Sequence, residues 1–294
     1  MTDSNRRMVV LAALPPLFWA GNFVLGRALH SEITPLALSF WRWFLALLIL
    51  LPFAYPRLRR QWAPLGRHWP LLTLFAVLGV TNYNTFAYIG LQSTTATNGV
   101  LLTSTTPLLI LGLSWLLLGQ RVRPAQGLGI LLSLVGVLVI VAQGDAGRLA
   151  GLRPNRGDLW ILAANLDWAL YSVCLRWRPK ELDPLVFLTA TVAIGCVPLA
   201  GLYAWDLAMG RGFAITPANL AGLGYVALFP SVLAYVIWNR AVAELGANRT
   251  GQYIHLMPVF GALLAVALLG ERPEWFHGVG FALIAAGIRL SARP

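Results

Sequence analysis

Ten long apolar stretches dominate the sequence, and each is long enough to cross a membrane as a helix. A helix needs about 20 residues to span the hydrocarbon core of a bilayer. The stretches are separated by short gaps, and they cover residues 8–29, 35–55, 70–91, 96–118, 126–143, 158–177, 184–204, 220–240, 247–269 and 275–290. The gaps leave no room for a domain outside the membrane. We therefore predict an all-α integral membrane protein with ten transmembrane helices, whose function lies inside the bilayer.

The composition excludes an ordinary soluble domain and a nucleic-acid-binding protein. The 294 residues are 58% hydrophobic and only 11% charged, whereas about 25% of a soluble domain is charged. The net charge of +11 comes from arginines that lie mostly in the gaps, and no basic stripe with interleaved aromatics suits a nucleic acid. Cys174 and Cys196 lie inside apolar stretches, so neither a disulfide framework nor a metal motif is expected. We expect no cofactor.

The distribution of cations predicts the orientation of the chain. With the N-terminus inside, 15 Lys and Arg face the cytoplasm and 6 face the other side, as the positive-inside rule requires. Both termini are therefore expected in the cytoplasm. The first stretch is too long for the apolar region of a signal peptide and lacks a clear cleavage site, so we expect it to remain as a span.

The chain contains an internal repeat. A shift of 151 residues aligns residues 107–136 with 258–287 without a gap, and the matches include Pro107 with Pro258 and four glycine pairs. The repeat predicts two five-helix halves, residues 1–150 and 151–294, in one membrane domain. Because five is odd, the second half must cross the membrane in the opposite direction. Inverted-topology repeats around a central cavity are typical of secondary transporters; a duplicated scaffold without a transport role is the alternative.

Several motifs resemble those of the EamA family of the drug/metabolite transporter superfamily. They are Trp-Ala in helices one and six, Pro35 followed by Trp41-Arg42-Trp43, and Leu-Leu-Gly-Gln-Arg and Leu-Leu-Gly-Glu-Arg at the ends of helices four and nine. The resemblance covers essentially the whole chain. It implies a bacterial inner-membrane carrier that exports small metabolites, and the bacterial aromatic amino-acid exporters are the most similar group. Two departures are Gln120, where the family has glutamate, and Thr191, where Arg42 would repeat.

Polar and aromatic side chains within the spans are the candidate substrate-binding groups, because polar groups in a membrane domain usually face its interior. Trp19 and Asn22, three residues apart, share one helix face. Rings beside amides suit a zwitterionic or neutral substrate with an apolar side chain. Packing between helices, or anchoring at the interface as we expect for Trp43 and Trp62, is the alternative for each ring. The candidates are Trp19, Asn22, Asn82, Tyr83, Asn98, Trp168, Tyr171, Tyr235, Trp238, Asn239 and His255.

Other residues are candidates for gating or structural roles. Pro107 and Pro258 occupy matching positions in helices four and nine, where each is expected to kink its helix, either as a static bend or as a flexing point. Arg42 and Asp167 are charged residues within spans. Each needs a partner, and Asp167 could also couple transport to protons. In helix ten a face of small residues is expected to serve internal packing rather than a dimer; it comprises Gly278, Ala282 and Ala286.

Together these features favour a secondary transporter that exports amino acids, aromatic or large neutral ones above all, and related metabolites by alternating access. A multidrug or lipophilic-cation exporter is the alternative, since the same fold hosts several functions. An intramembrane enzyme is disfavoured because the four histidines are scattered and no metal motif occurs. The expected partners are a small-molecule substrate and membrane lipid, and we expect the chain to function as a monomer.

Overall fold

The computed structural model describes residues 3–145, 147–148, 151, 155–269 and 274–291. These residues form helices and no strand, which confirms the all-α prediction. In the first half, α1 comprises Asp3–Leu11 and Leu14–Ala28, α2 is Pro35–Arg60, α3 comprises Trp69–Ala76 and Tyr83–Ser93, α4 comprises Ala96–Thr103 and Thr106–Leu118, and α5 is Pro124–Val141. In the second half, α6 is Arg156–Cys174, α7 is Pro184–Ala208, α8 comprises Pro217–Ala227 and Ala234–Leu245, α9 comprises Ala247–Gly251 and Met257–Leu269, and α10 is Trp275–Ser291.

Seven helical segments of the described chain are long and apolar enough to cross a membrane. They belong to α1 to α5, α7 and α8, and they are Arg7–Ala28, Pro35–Arg60, Trp69–Ser93, Asn98–Leu118, Pro124–Val141, Pro184–Ala208 and Pro217–Leu245. The chain is therefore a multi-pass membrane protein. The prediction of ten spans needs α6, α9 and α10 as well, of which α10, with 17 residues, is apolar but shorter.

Several helices begin where the sequence combines a capping side chain with proline. Thr34 caps α2 by accepting a hydrogen bond from the Ala37 amide, at 3.2 Å, and Pro35 follows it. Asp183 caps α7 in the same way, and Pro184 follows. Such caps satisfy amides that have no partner within the helix, and a proline in the first turn sacrifices no hydrogen bond. The two halves therefore use one device to begin equivalent helices.

Both halves interrupt their third and fourth helices at equivalent positions. The two pieces of α3 are joined by π-helical Val77–Asn82, and those of α8 by π-helical Leu228–Leu233. The shift of 151 residues that relates the repeats carries one segment onto the other. It also carries Thr106–Leu118 of α4 onto Met257–Leu269 of α9. The duplication is therefore visible in helix geometry as well as in sequence.

The two halves interleave through reciprocal helix contacts. α1 packs against α9, and α6 packs against α4; α2 packs against α8, and α7 packs against α3. Each contact therefore joins a helix of one half to a helix of the other, and its repeat-related counterpart is also formed. A core built in this way depends on both halves.

Helices α5 and α10 pack antiparallel through glycines. A Cβ atom at Gly136 would lie 2.7 Å from the Gly280 carbonyl oxygen, and one at Gly280 would lie 2.8 Å from the Gly136 carbonyl oxygen. Only glycine allows the backbones to approach this closely. The expectation of internal packing for the other face of α10 is wrong, since Gly278, Ala282 and Ala286 are exposed. The two faces differ because Ile284 and the glycines Gly280 and Gly287 turn toward α5.

Candidate functional site

Six aromatic side chains from four helices meet at the centre of the core. This aromatic cluster comprises Trp19 of α1, Tyr83 of α3, Trp168 and Tyr171 of α6, and Tyr235 and Trp238 of α8. Trp168 is its hub, with ring centroids 5.0 Å from Trp19, 4.9 Å from Tyr83 and 5.1 Å from Tyr235. All six are sequence-predicted site residues. The structure therefore brings together residues that lie more than 200 positions apart.

The aromatic cluster is packed rather than open. Its six side chains are each at most 5% exposed, and the Trp168 and Tyr171 rings stack at 5.1 Å. The prediction of a central cavity is thus wrong for this conformation, because the rings themselves fill the centre.

The two π-helical segments supply backbone acceptors to this centre. A π-helical turn displaces the regular ladder and leaves carbonyl groups free for other donors. The Trp19 indole Nε1 donates to the Pro230 carbonyl oxygen at 3.1 Å, and the Tyr235 hydroxyl donates to the Gly79 carbonyl oxygen. Each half therefore receives, through its π segment, a side chain from the other half.

Arg42 of α2 is fully buried next to the aromatic cluster. Its guanidinium donates to the Ser231 hydroxyl at 2.6 Å, to Asn22 Oδ1 at 2.9 Å, to the Tyr88 hydroxyl at 2.8 Å and to the Pro230 carbonyl at 3.0 Å. The guanidinium carbon lies 5.3 Å from the Trp43 ring centroid. No acidic side chain in the described part of the chain pairs with it. Neutral groups from both halves therefore hold this buried charge.

Some buried donors around the cluster have no hydrogen-bond partner among the described residues. They are the indole Nε1 of Trp168 and the indole Nε1 of Trp43. A buried donor without an acceptor costs about 1–3 kcal/mol. Such donors are therefore candidates for hydrogen bonds to a substrate.

The remaining predicted site residues lie at varying distances from this centre. Asn239 accepts a hydrogen bond from the Tyr171 hydroxyl at 2.9 Å, so it borders the cluster. Asn98 instead donates to Asp158 at 2.5 Å, where α4 meets α6. The His255 imidazole contacts the Ser104 carbonyl at 2.9 Å, where α4 meets α9. Asn98 and His255 thus serve helix contacts in this structure.

Asp167 and the two prolines also have defined surroundings. Asp167 is half-buried, and the Asn82 side chain lies beside its carboxylate. Pro107 and Pro258 stand in the first turns of Thr106–Leu118 and Met257–Leu269. The predicted kinks are therefore breaks that precede the prolines: a turn at residues 104–105 in α4 and a 3-10 helix, Gln252–Leu256, in α9.

Sequence reasoning missed two residues at the centre. Trp43 was expected at the interface, but it is fully buried, with its ring centroid 4.9 Å from Tyr235. Ser231 was not predicted, although it joins Arg42 to α8. The adjacent Arg42 was the available signal for Trp43, because a cation inside the membrane attracts aromatic faces.

Interleaved halves, interrupted helices and a buried central site define a multi-pass membrane protein of the transporter type. A family model described as the EamA-like transporter family matches residues 6–142 and again residues 155–293. The chain therefore belongs to the EamA-like transporter family, with one copy of the family domain in each half. It is a transporter and not an enzyme.

Individual relatives agree with this assignment. An uncharacterized transporter of Archaeoglobus fulgidus is 29% identical over 98% of this chain and 98% of its own length. The uncharacterized transporter YyaM of Bacillus subtilis is 29% identical over 92% of this chain and 89% of its own. A protein named "Probable terminal-alkyne amino-acid exporter" in Streptantibioticus cattleyicolor is 28% identical, covering 78% of this chain and 75% of its own. A crystal structure with a TM-score of 0.76, at 21% identity, covers 97% of this chain and 96% of that one and shows the same fold.

Proposed function

We propose that this transporter exports amino acids with aromatic or large neutral side chains, and related small metabolites, by alternating access. The main support for this proposal is the aromatic cluster, in which both halves supply rings around the Trp19–Trp168 contact at 5.0 Å. A substrate ring that replaces one of these ring contacts gains stacking energy of about 0.5–1.5 kcal/mol beyond buried area. The unpartnered donors beside the cluster suit the polar part of an amino acid.

The proposal includes ten spans in two inverted five-helix repeats, residues 1–150 and 151–294. Contacts between repeat-equivalent residues support a twofold axis, because residues related by such an axis touch each other only near it. Trp19 contacts Trp168, the ring of the Trp-Ala motif in the other half. The His255 imidazole contacts the Ser104 carbonyl, and the Ser133 hydroxyl donates to the Ile284 carbonyl. The two residues of each of these hydrogen-bonded pairs are 151 positions apart. The antiparallel packing of α5 and α10, helices equivalent in the repeat, supports the same arrangement.

The charge beside the cluster favours an amino acid over a lipophilic cation. Arg42 places a buried positive charge 5.3 Å from the Trp43 ring, which in turn contacts Tyr235 of the cluster. A cationic substrate would meet repulsion there that the surrounding low dielectric strengthens. A carboxylate would be attracted.

The remaining parts of the proposal concern location and motion. We place the protein in the bacterial inner membrane with both termini in the cytoplasm, which the cation distribution and the bacterial relatives support. The interruptions before Pro107 and Pro258 act as flexing points, and Asp167 remains a candidate for proton coupling. One chain contains both halves of the cluster, which supports function as a monomer.

The test replaces a ring at the hub of the cluster. Trp168→Ala is expected to slow efflux of phenylalanine and tryptophan several-fold while changing efflux of alanine much less, since only large side chains reach the rings. Trp62→Ala is the matched control, because Trp62 is 76% exposed in the short helix Trp62–Arg67. Efflux is measured from proteoliposomes that contain equal amounts of each protein. An equal loss for all substrates, or a loss only with Trp62→Ala, contradicts the proposal.

A further inference from the structure

A cavity of about 610 Å³ opens between the ends of α2, α7 and α8 and the segment that links α6 to α7. This is the end of the molecule where the cation distribution predicts the cytoplasm. One wall is apolar and includes Phe187, Leu188 and Val236. The polar lining comprises Arg57, Arg178, Asp183, Asn239, Arg240 and Glu244.

Three arginines and two carboxylates line this cavity, so its positive charges outnumber its negative ones. Arg57 pairs with Asp183 at 3.7 Å, and Arg240 pairs with Glu244 at 2.7 Å. Arg178 forms no ion pair with a described residue, and its Nη1 atom is buried without a hydrogen-bond partner among them. Its guanidinium carbon lies 5.8 Å from the Phe187 ring centroid. The cavity is therefore lined by a guanidinium that has no ion-pair partner among the described residues, beside an apolar wall.

The cavity reaches the edge of the aromatic cluster. Asn239 lines the cavity and accepts the hydrogen bond of the Tyr171 hydroxyl at 2.9 Å. Tyr171 stacks on Trp168, the hub of the cluster, at 5.1 Å. The Asn239 side chain thus lies between a molecule held in the cavity and Tyr171, a member of the cluster.

We infer that this cavity is the cytoplasmic entry subsite, in which Arg178 binds the carboxylate of the substrate. A guanidinium matches a carboxylate with two parallel hydrogen bonds, and the apolar wall receives the side chain. The substrate's ring then passes Asn239 to reach Tyr171 and the rest of the aromatic cluster. This inference rests on the proposed function and specifies it: the substrate carries a free carboxylate.

The experiment compares probes with and without that carboxylate on the full-length protein in nanodiscs. The probes are L-phenylalanine, phenylalaninamide and 3-phenylpropionate, with binding measured by calorimetry and efflux measured in proteoliposomes. Wild type is expected to bind the two carboxylates at least tenfold more tightly than the amide. Arg178→Gln is expected to weaken carboxylate binding about tenfold and to leave the amide unchanged, so that the preference disappears. Arg178→Lys keeps the charge but cannot form two parallel hydrogen bonds, so it is expected to retain part of the preference for carboxylates.

Arg176→Gln is the matched control, because Arg176 lies in the same link, is exposed and is outside the lining of this cavity. The inference is overturned if Arg178→Gln keeps the preference for carboxylates, or if Arg176→Gln loses that preference to the same extent. In either case, phenylalanine efflux by the wild type leaves the proposed function standing. Binding of 3-phenylpropionate that depends on Arg178, without any phenylalanine efflux, supports the subsite and overturns aromatic amino-acid export. Absence of carboxylate binding to wild type overturns the subsite directly.

Discussion

A buried arginine in a membrane domain is stable only if its neighbours compensate its charge. Arg42 has five N–H donors, and four hydrogen bonds join it to α1, α3 and α8. Asn22 and Tyr88 belong to the first half, whereas Ser231 and Pro230 belong to the second. Arg42 is therefore a tie between the halves as well as a source of positive potential beside the cluster.

Arg42→Met is expected to destabilise the protein by about 3 kcal/mol. Each of the four lost hydrogen bonds to the buried charge contributes about 1.5–3 kcal/mol, and the cost of burying that charge, which the apolar side chain avoids, offsets part of their sum. Arg59→Met is the control, since Arg59 is an exposed arginine of the same helix. The measurement is thermal unfolding of the purified proteins followed by tryptophan fluorescence. A similar midpoint for both variants would show that the four hydrogen bonds do not tie the halves together.

The sequence predicted the residues of the cluster better than it predicted their surroundings. The sequence has a Trp-Ala motif in helices one and six, and the rings of these two motifs, Trp19 and Trp168, are in contact. Helical spacing gives the face and approximate depth of a side chain but not its partner, so Asn98 was grouped with residues that it does not approach. Trp43 was misassigned because its distance from the span end, rather than its packing, decided the prediction.

At the level of elements, the closest contact between equivalent helices is the glycine crossing of α5 and α10. The repeat in the sequence pairs Gly129 with Gly280 and Gly136 with Gly287. It does not show which face of α10 packs against α5. The π segments were also beyond sequence reasoning, since one extra residue in a helical turn leaves no pattern in composition. Pro107 and Pro258 revealed where α4 and α9 are interrupted.

Gly136→Ala is expected to destabilise the protein by about 1–3 kcal/mol, because the new Cβ atom would lie 2.7 Å from the Gly280 carbonyl oxygen in a contact that cannot expand freely. Gly127→Ala is the matched control on the same helix, since no atom lies within 4 Å of its Cβ position. That substitution is expected to be neutral or to stabilise by up to about 1 kcal/mol. Equal unfolding midpoints for the two variants would refute the tight crossing.

At the scale of the whole molecule, the family domain occurs once in each half. Ten spans require that both termini lie on the same side of the membrane. Reporter fusions at residues 1 and 294 are expected to report the cytoplasm at both ends. Reports from opposite sides would mean an odd number of spans and would remove the inverted repeat.

The central claim is that the molecule carries amino acids with large side chains, and counterflow tests it most directly. Proteoliposomes that contain the purified wild-type protein are loaded with unlabelled L-phenylalanine, and uptake of external labelled L-phenylalanine is followed. We predict a transient accumulation above equilibrium, because exchange through one alternating site couples the two fluxes, and we predict little accumulation in vesicles loaded with glycine. Counterflow of a lipophilic cation such as tetraphenylphosphonium, without any of phenylalanine, would contradict the account.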